Sequence, residues 1–314
     1  MGPSPESTIE PGRGHNPLVS VVMPNLNKGD YIQAAIESVL LQTMRDFELI
    51  IVDDASTDAS VEIARRYVEK DPRVVLIEHS VTKGVSAARN TGIRSSRGGI
   101  IGLLDSDDLY APAKLEKQLE ALRRSQGPIV TYCDFWQMDD QGNPIPSRRT
   151  IQKKSGSIFG DVIEDPKAYG IKTTILLPKN CLEDVGLFDE SLPCGEDLDM
   201  ILKLSWAYSF TFLDEKLYGY RVFPGNTRNR LPQSTLERTR ALIIERQYRR
   251  TKSTLTPTQR RAVILTLTKH FMRSSQRRKM VQYGLSSFGS FKFMVAEPLR
   301  RKGLGRLLHR SQTS

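Results

Sequence analysis

The chain has 314 residues, 39% of them hydrophobic and 26% charged, with a formal net charge of +10. That size holds one large or two ordinary domains, and the composition excludes a disordered or fibrous protein. No apolar run approaches the roughly 20 residues that a membrane-spanning helix needs.

Met1–Pro17 is rich in Pro, Gly, Ser and Glu and reads as a disordered leader; with no apolar core it is not a secretory signal. Leu18–Pro24 is a Val-rich buried strand. Asp30 is placed to cap a helix that runs through Gln42. Phe47–Val52 is a second strand, ending in Asp53 and Asp54, and Asp58 opens the next helix. Val74–Ile77, Ile100–Leu104 and Ile129–Phe135 are further strands. Helices at Ser86–Ser95 and from Pro112 to about Arg124 lie between them. Beyond Gln141 the pattern loosens. Asp139–Asn143 is a hairpin tip, Gly160–Ala168 a short helix interrupted near Pro166, and Thr173–Leu177 a strand. Gly186–Pro193 is a loop, Glu196–Ala207 a helix and Phe210–Leu213 a strand; helices are expected from Leu236 onward.

Strands alternating with helices predict an α/β fold with right-handed crossovers and a mainly parallel sheet. Such sheets bind ligands beyond the carboxyl ends of their strands. Two acidic clusters fall there: Asp53 and Asp54 after the second strand, and Asp105, Asp107 and Asp108 after the fourth. Adjacent carboxylates repel one another and so call for a partner, such as a base N–H or ribose hydroxyl donating to Asp53 or Asp54. Asp105-Ser106-Asp107 offers hard oxygen ligands for Mg²⁺ or Mn²⁺ bridging to a diphosphate, or else forms a solvated acidic turn. In Gly195-Glu196-Asp197, a carboxylate at a helix start serves as a general base or simply complements the helix dipole. Lys83 and the amides at the start of the following helix could meet phosphate; Arg89 could do the same or pair with an acid. Cys133, Cys181 and Cys194 match no metal cage and read as reduced thiols.

In chain order, VSVVMPNLNKGDYIQAAIESVLLQT, FELIIVDDASTDAS, KGVSAARNTGI, IIGLLDSDDLY, VGLFDESLPCGEDLDMILKL and YGYRVFPGN resemble the successive blocks of family 2 glycosyltransferases with a GT-A fold. The resemblance covers roughly Leu18 to Asn226. It implies a GT-A domain over 18–227, with a nucleotide-binding half at 18–135 and an acceptor-side half at 136–227. It also implies inverting hexosyl-type transfer from a nucleotide-sugar donor, assisted by a divalent metal, Mn²⁺ or Mg²⁺. Under it, Pro24, Asn25 and Asn27 line the nucleotide pocket, and Asp53 and Asp54 contact base or ribose. Lys83 and Ser106 lie on the nucleotide, Asp105 serves ribose and ion, and Asp107 binds the metal. Asp197 is the catalytic base, with Arg89, Glu196 and Arg221 as candidate phosphate or acceptor contacts. Two departures stand out. Phe223 occupies the place where relatives often carry a metal- or phosphate-binding His, and the family's DDGS reads Asp53-Asp54-Ala55-Ser56, so no left-handed residue is expected at Ala55.

Residues 228–314 lie outside the resemblance. They carry 21 Lys and Arg against Glu237, Glu245 and Glu297, a net +18, so the rest of the chain carries −8 of the total +10. This predicts a basic helical extension. Basic clusters at Arg273, Arg277, Arg278 and Lys279 and at Arg300, Arg301, Lys302, Arg306 and Arg310 flank Phe288, Phe291, Phe293 and Met294. They suit an anionic membrane surface, or else form a solvated helical face over core aromatics. Nucleic acid is a poor partner, because no reading motif accompanies the charge. The expected partners are thus a nucleotide-sugar donor, a saccharide or lipid-linked saccharide acceptor, and an anionic membrane. The expected location is the cytoplasm, peripheral at the inner face of the cell membrane, in cell-surface polysaccharide or glycolipid synthesis. Two rivals remain. A nucleotidyltransferase would want a Gly-rich loop after the first strand, where Pro24-Asn25-Leu26-Asn27 stands. A degenerate transferase that only binds a nucleotide sugar or a polyanion would differ in lacking donor hydrolysis.

Overall fold

The computed structural model describes residues 16–146, 153–165, 173–224, 231–274 and 276–285. The chain divides into two compact units, Met1–Arg230 and Leu231–Ser314.

In the first unit, strands β1 (Val19–Asn25), β2 (Phe47–Asp53), β3 (Val74–Glu78) and β4 (Ile100–Leu103) pair in parallel in the order β3-β2-β1-β4. Every residue of β1 and β2 is buried, as continuous apolar runs in a sheet covered on both faces require. Helices α1 (Ile32–Leu40), α2 (Ser60–Lys70) and α3 (Val85–Ser95) form the crossovers. Gly92 of α3 lets that helix approach closely: a Cβ there would lie 2.4 Å from Val22 Cγ1. The α1 start is not capped by Asp30. Its first amides, Tyr31 and Ile32, donate to the Lys28 carbonyl, both at 2.9 Å. Helix α3 begins at Val85, one residue before its predicted start, behind Gly84 at φ +96°.

Past β4 the sheet turns mixed. The short β5 (Leu109–Tyr110), α4 (Lys114–Arg123), β6 (Ile129–Met138) and β7 (Pro144–Ile145) come first, then α5 (Phe159–Glu164), β8 (Leu176–Pro178) and α6 (Lys179–Asp184). Helix α7 (Glu196–Ala207) and β9 (Ser209–Arg221) complete the unit. β8 inserts antiparallel between β4 and β6, β9 runs parallel to β6, and β5 closes the order antiparallel to β9. The predicted mainly parallel sheet therefore holds, with β1 to β4 and the β6–β9 pair parallel and β5, β7 and β8 running antiparallel. The predicted strand at Phe210–Leu213 is the start of the much longer β9. The extra length matters, because it carries Tyr218 and Arg221 to the acidic turn after β4.

The second unit contains α8 (Gln233–Thr251), α9 (Pro257–Arg273) and α10 (Arg277–Leu285). A capping box between Thr256 and Gln259, with Pro257 in the first turn, starts α9. Two buried acids on α8 gather basic side chains. Glu237 meets His270 Nδ1 at 2.5 Å and Arg240 at 3.4 Å, and Glu245 meets Arg249 at 2.8 Å and Lys279 at 2.5 Å. Burial works against the Glu237 carboxylate, but His270, Arg240 and Arg273 outweigh it and hold its pKa below the ordinary value. Of the predicted tail clusters, Lys279 is thus paired with an acid within the unit, while Arg273 lies 4.0 Å from Glu237 and stays largely exposed. Arg300, Arg301, Lys302, Arg306 and Arg310, with the phenylalanines between, lie outside the described residues, as does the leader up to His15. Among the described residues no helix is long and apolar enough to cross a membrane.

Candidate functional site

The carboxyl ends of β1, β2 and β4 open on one side of the sheet. At the end of β2, Asp53 and Asp54 are both buried. Asp53 Oδ1 accepts from Asn25 Nδ2 at 2.7 Å and from Ser56 Oγ at 2.6 Å, and its Oδ2 accepts from the Ser56 amide at 2.8 Å. Asp54 accepts the amides of Lys83 and Gly84, one on each oxygen and each at 2.8 Å, while His79 Nδ1 lies 2.8 Å from Oδ1. The paired acids found their partners inside the chain. They fix the turn after β2 and the loop before α3, in which Lys83 is exposed. Directly after them, Ala55 has φ +63°, so the expectation that alanine spares this turn a left-handed residue is overturned. The tight return of the chain to Ser56 demands that conformation whatever the side chain.

The loop after β1 is fastened just as firmly. Pro24 is buried in β1 opposite Val52. Asn27, at φ +52°, donates its amide to Ser56 Oγ at 2.9 Å and accepts the Thr57 amide on Oδ1 at 2.8 Å. The Gly29 amide donates to Asp58 Oδ2 at 2.7 Å.

After β4 the acids are held differently. Asp108 is buried, accepting from Tyr218 OH at 2.7 Å and from the Arg221 amide at 2.8 Å. Burial, then the neighbouring Asp107 and Asp105, push its pKa well above the ordinary range, so this carboxyl belongs to the framework. Ser106 is buried in the same turn. Asp105 and Asp107 remain partly exposed, and each pairs with a cation: Asp105 with Arg89 at 2.8 Å and Asp107 with Lys28 at 2.5 Å. Burial, with Asp105 adding to it, raises the Asp107 pKa even though Lys28 opposes the shift.

Arg89, on α3, ties the site together. Its guanidinium is buried over the Phe188 ring, with NH2 on Asp105 at 2.8 Å and NH1 on Asp197 at 2.8 Å and on Glu196 at 3.3 Å. Burial opposes its charge, yet Asp197, Asp105 and Glu196 together outweigh that and hold it protonated. Glu196, by contrast, is raised by burial first and by Asp197 next. The helix they start, α7, follows Gly195 at φ +80°, a left-handed entry suited to glycine. Arg89 thus brings Asp105, Glu196 and Asp197 to one guanidinium, across more than a hundred residues of sequence.

Arg221 is fully engaged by the backbone, its Nε on the Asp107 carbonyl at 2.9 Å and NH1 on the Asp140 carbonyl at 2.7 Å. It fastens the hairpin tip after β6 to the acidic turn. A column of side chains stands beside that turn. Arg221 lies over the Tyr31 ring at 4.9 Å, Phe223 packs on Tyr31 at 4.9 Å, and Lys28 Nζ sits 4.6 Å from the Phe223 ring. Neither Lys28 nor His79 stood out in the sequence; the one signal was a Lys set between Asn27 and Gly29 at a strand end.

Among the described residues no group of three or more His, Cys, Asp or Glu gathers to hold a metal ion. A divalent ion would therefore need the donor's phosphate oxygens to fill its shell, as Mg²⁺ commonly does with one or two carboxylates. Asp105 and Asp107 suit that arrangement. Arg89 and Lys28 take one oxygen of each and leave the other without a side-chain partner among the described residues.

Residues 20–185 match the family model described as Glycosyl transferase family 2. The chain belongs to that family. It is 31% identical over 218 residues to an uncharacterised glycosyltransferase of Rickettsia typhi, covering 68% of this chain and 67% of that one. It is 32% identical over 219 residues to the chondroitin synthase of Escherichia coli, covering 67% of this chain and 30% of the synthase. Among solved structures, S. aureus TarS in complex with UDP superimposes with TM-score 0.62 at 20% identity, over 81% of this chain and 72% of that one. A mannosyltransferase from Pyrobaculum calidifontis, in complex with GDP-Man and Mn²⁺, gives 0.57 at 18% identity, over 98% and 84%. These likenesses carry the GT-A type of fold, and the family makes the protein a glycosyltransferase.

Proposed function

We propose that this glycosyltransferase moves a sugar from a nucleotide-sugar donor to an acceptor hydroxyl, with inversion at the anomeric carbon. The observation that carries the reading is the Arg89 bridge. One buried guanidinium holds Asp105, on the side of the nucleotide half, and Asp197, on the acceptor side. Asp197 accepts the proton of the acceptor hydroxyl as that oxygen attacks the anomeric carbon from the face opposite the diphosphate. The bond to the diphosphate oxygen breaks, and its electron pair leaves with the nucleoside diphosphate, in one step without a covalent enzyme intermediate. Arg89 orients Asp197 through Oδ1, leaving Oδ2 for the proton. Pro24, Asn25 and Asn27 shape the nucleotide pocket, and Asp53 and Asp54 act on it through the turns they hold. A divalent ion, Mn²⁺ or Mg²⁺, fits Asp105 and Asp107 and, when bound, neutralises charge on the leaving diphosphate. The solved neighbours bound to UDP and to GDP-Man with Mn²⁺ support both the nucleotide and the ion.

The acceptor is a saccharide or lipid-linked saccharide of cell-surface polysaccharide or glycolipid synthesis; the relation to a chondroitin synthase favours a sugar-polymer product. The direct test is a panel of nucleotide sugars scored by melting temperature and by donor hydrolysis, with and without Mn²⁺. A specific donor should raise the melting temperature and be hydrolysed slowly; stabilisation without any turnover would favour a degenerate binder. The enzyme is cytoplasmic and peripheral at the inner face of the membrane in this reading, which rests on the +18 of residues 228–314. Co-sedimentation should show binding to anionic but not neutral vesicles, released at 1 M salt, where the Debye length falls to about 3 Å. Indifference to anionic vesicles at low salt removes the membrane role.

A further inference from the structure

We infer that Lys28 is a diphosphate-binding residue, whose ammonium shares with the divalent ion the task of neutralising the donor's phosphates. This rests on the donor reading above and extends it to a residue outside the family's acidic motif. The loop that carries Lys28 is pinned on both sides, by Asn27 on Ser56 and Thr57 and by Gly29 on Asp58, so the backbone cannot carry the side chain away from the acidic turn. The ammonium lies 2.5 Å from Asp107 Oδ2 and faces the Phe223 ring at 4.6 Å. Both members of the pair keep some exposure, 19% for Lys28 and 14% for Asp107, so the pair borders the site rather than the core.

Charge decides what it does there. Asp105 and Asp107 share one turn, and a diphosphate brought beside them is repelled unless cations intervene. Arg89 is committed to three carboxylates, and Arg221 to backbone carbonyls. Phe223 offers an aromatic face and no metal ligand. Lys28 is a compact charge on a flexible four-carbon stem. Without an ion, the ammonium beside Asp107 would also meet a phosphate oxygen, so part of the donor affinity survives without metal; with an ion on Asp107, it would be repelled from the carboxylate side toward the phosphates.

The test is calorimetric titration of the full chain with UDP, GDP, CDP and dTDP, in EDTA and in Mn²⁺, with the matching nucleoside as control. For the diphosphate that binds best, the wild-type protein should retain measurable affinity in EDTA. Lys28→Met should weaken that affinity at least about tenfold, equivalent to about 1.4 kcal/mol. It should weaken the Mn²⁺-supported affinity less, leave nucleoside affinity unchanged, and leave the melting temperature close to wild type. Lys28→Arg should keep most of the metal-free affinity, and Phe223→His on the Lys28→Met background should restore affinity only with Mn²⁺. The inference is overturned if wild type binds only with Mn²⁺, if Lys28→Met matches wild type in EDTA, or if nucleoside affinity falls equally. Binding of no diphosphate under either condition overturns the donor reading itself.

Discussion

The two acidic strand ends of this enzyme look alike in sequence and behave differently in structure. After β2, Asp53 and Asp54 accept from amides, a hydroxyl, an amide side chain and an imidazole of their own chain, all fixed in place. After β4, Asp105 and Asp107 face the side-chain cations Arg89 and Lys28 and stay partly exposed. Backbone donors cannot leave without unfolding a turn, whereas cationic side chains can be shared with a ligand. The first end is therefore framework, and under the proposed function the second is the part that meets the donor's charge.

The largest expected effect falls at the second end. Asp107→Ala removes the proposed metal ligand and frees Lys28 from its partner. Turnover should be abolished, and Mn²⁺ should no longer raise nucleoside diphosphate affinity in a titration. Full metal-dependent activity in this variant would erase the distinction between the two ends. Next in size is Asp197→Asn, which keeps the Arg89 contact through its amide oxygen but loses basicity. Transfer should slow by about a hundredfold, the scale of a lost general base, with donor affinity close to wild type. A matching loss of donor affinity would instead give Asp197 a structural part.

How far the sequence reached follows the same division. The first four strands and α7 were legible because apolar runs and helical periodicity are local signals, and α7 ends where predicted. The acidic clusters were legible as strand-end features. Their partners were not. The Lys83 and Gly84 amides lie about thirty residues from Asp54, and Glu196 and Asp197 lie over a hundred from Arg89. No local pattern states which of several acids an arginine will meet. Arg221, read as a candidate phosphate or acceptor contact, places Nε and NH1 on backbone carbonyls, partners supplied by β9 running well past its predicted end along β6.

The first end yields effects on stability. Asp54→Ala strands the amides of Lys83 and Gly84 and one nitrogen of His79. A buried donor left unsatisfied costs about 1–3 kcal/mol, and the loop before α3 can relax toward water, so a loss of about 2–4 kcal/mol is expected in urea unfolding. Donor affinity should fall only as far as that loop loosens. A variant as stable as wild type that has lost its donor would mean that Asp54 touches the nucleotide directly.

The smallest effect is the most pointed. Ala55 sits at φ +63° between the two framework acids and Ser56. An L-residue with a Cβ is disfavoured in that region by roughly 1–2 kcal/mol. Glycine removes the clash, but it also gives the unfolded chain more freedom, which costs about 0.4–1 kcal/mol. Ala55→Gly should therefore stabilise the enzyme by about 0.5–1 kcal/mol, visible as a higher urea midpoint at unchanged slope. Its kinetics should not change, since Asp53 already fixes the turn through the Ser56 amide and hydroxyl. If the variant instead binds donor more weakly, the strained alanine is part of how the pocket is held open, and the turn after β2 is functional as well as framework. If stability falls, Ala55 does not adopt the left-handed conformation in solution, and the hydrogen bonds that close Asp53 onto Ser56 must be drawn differently.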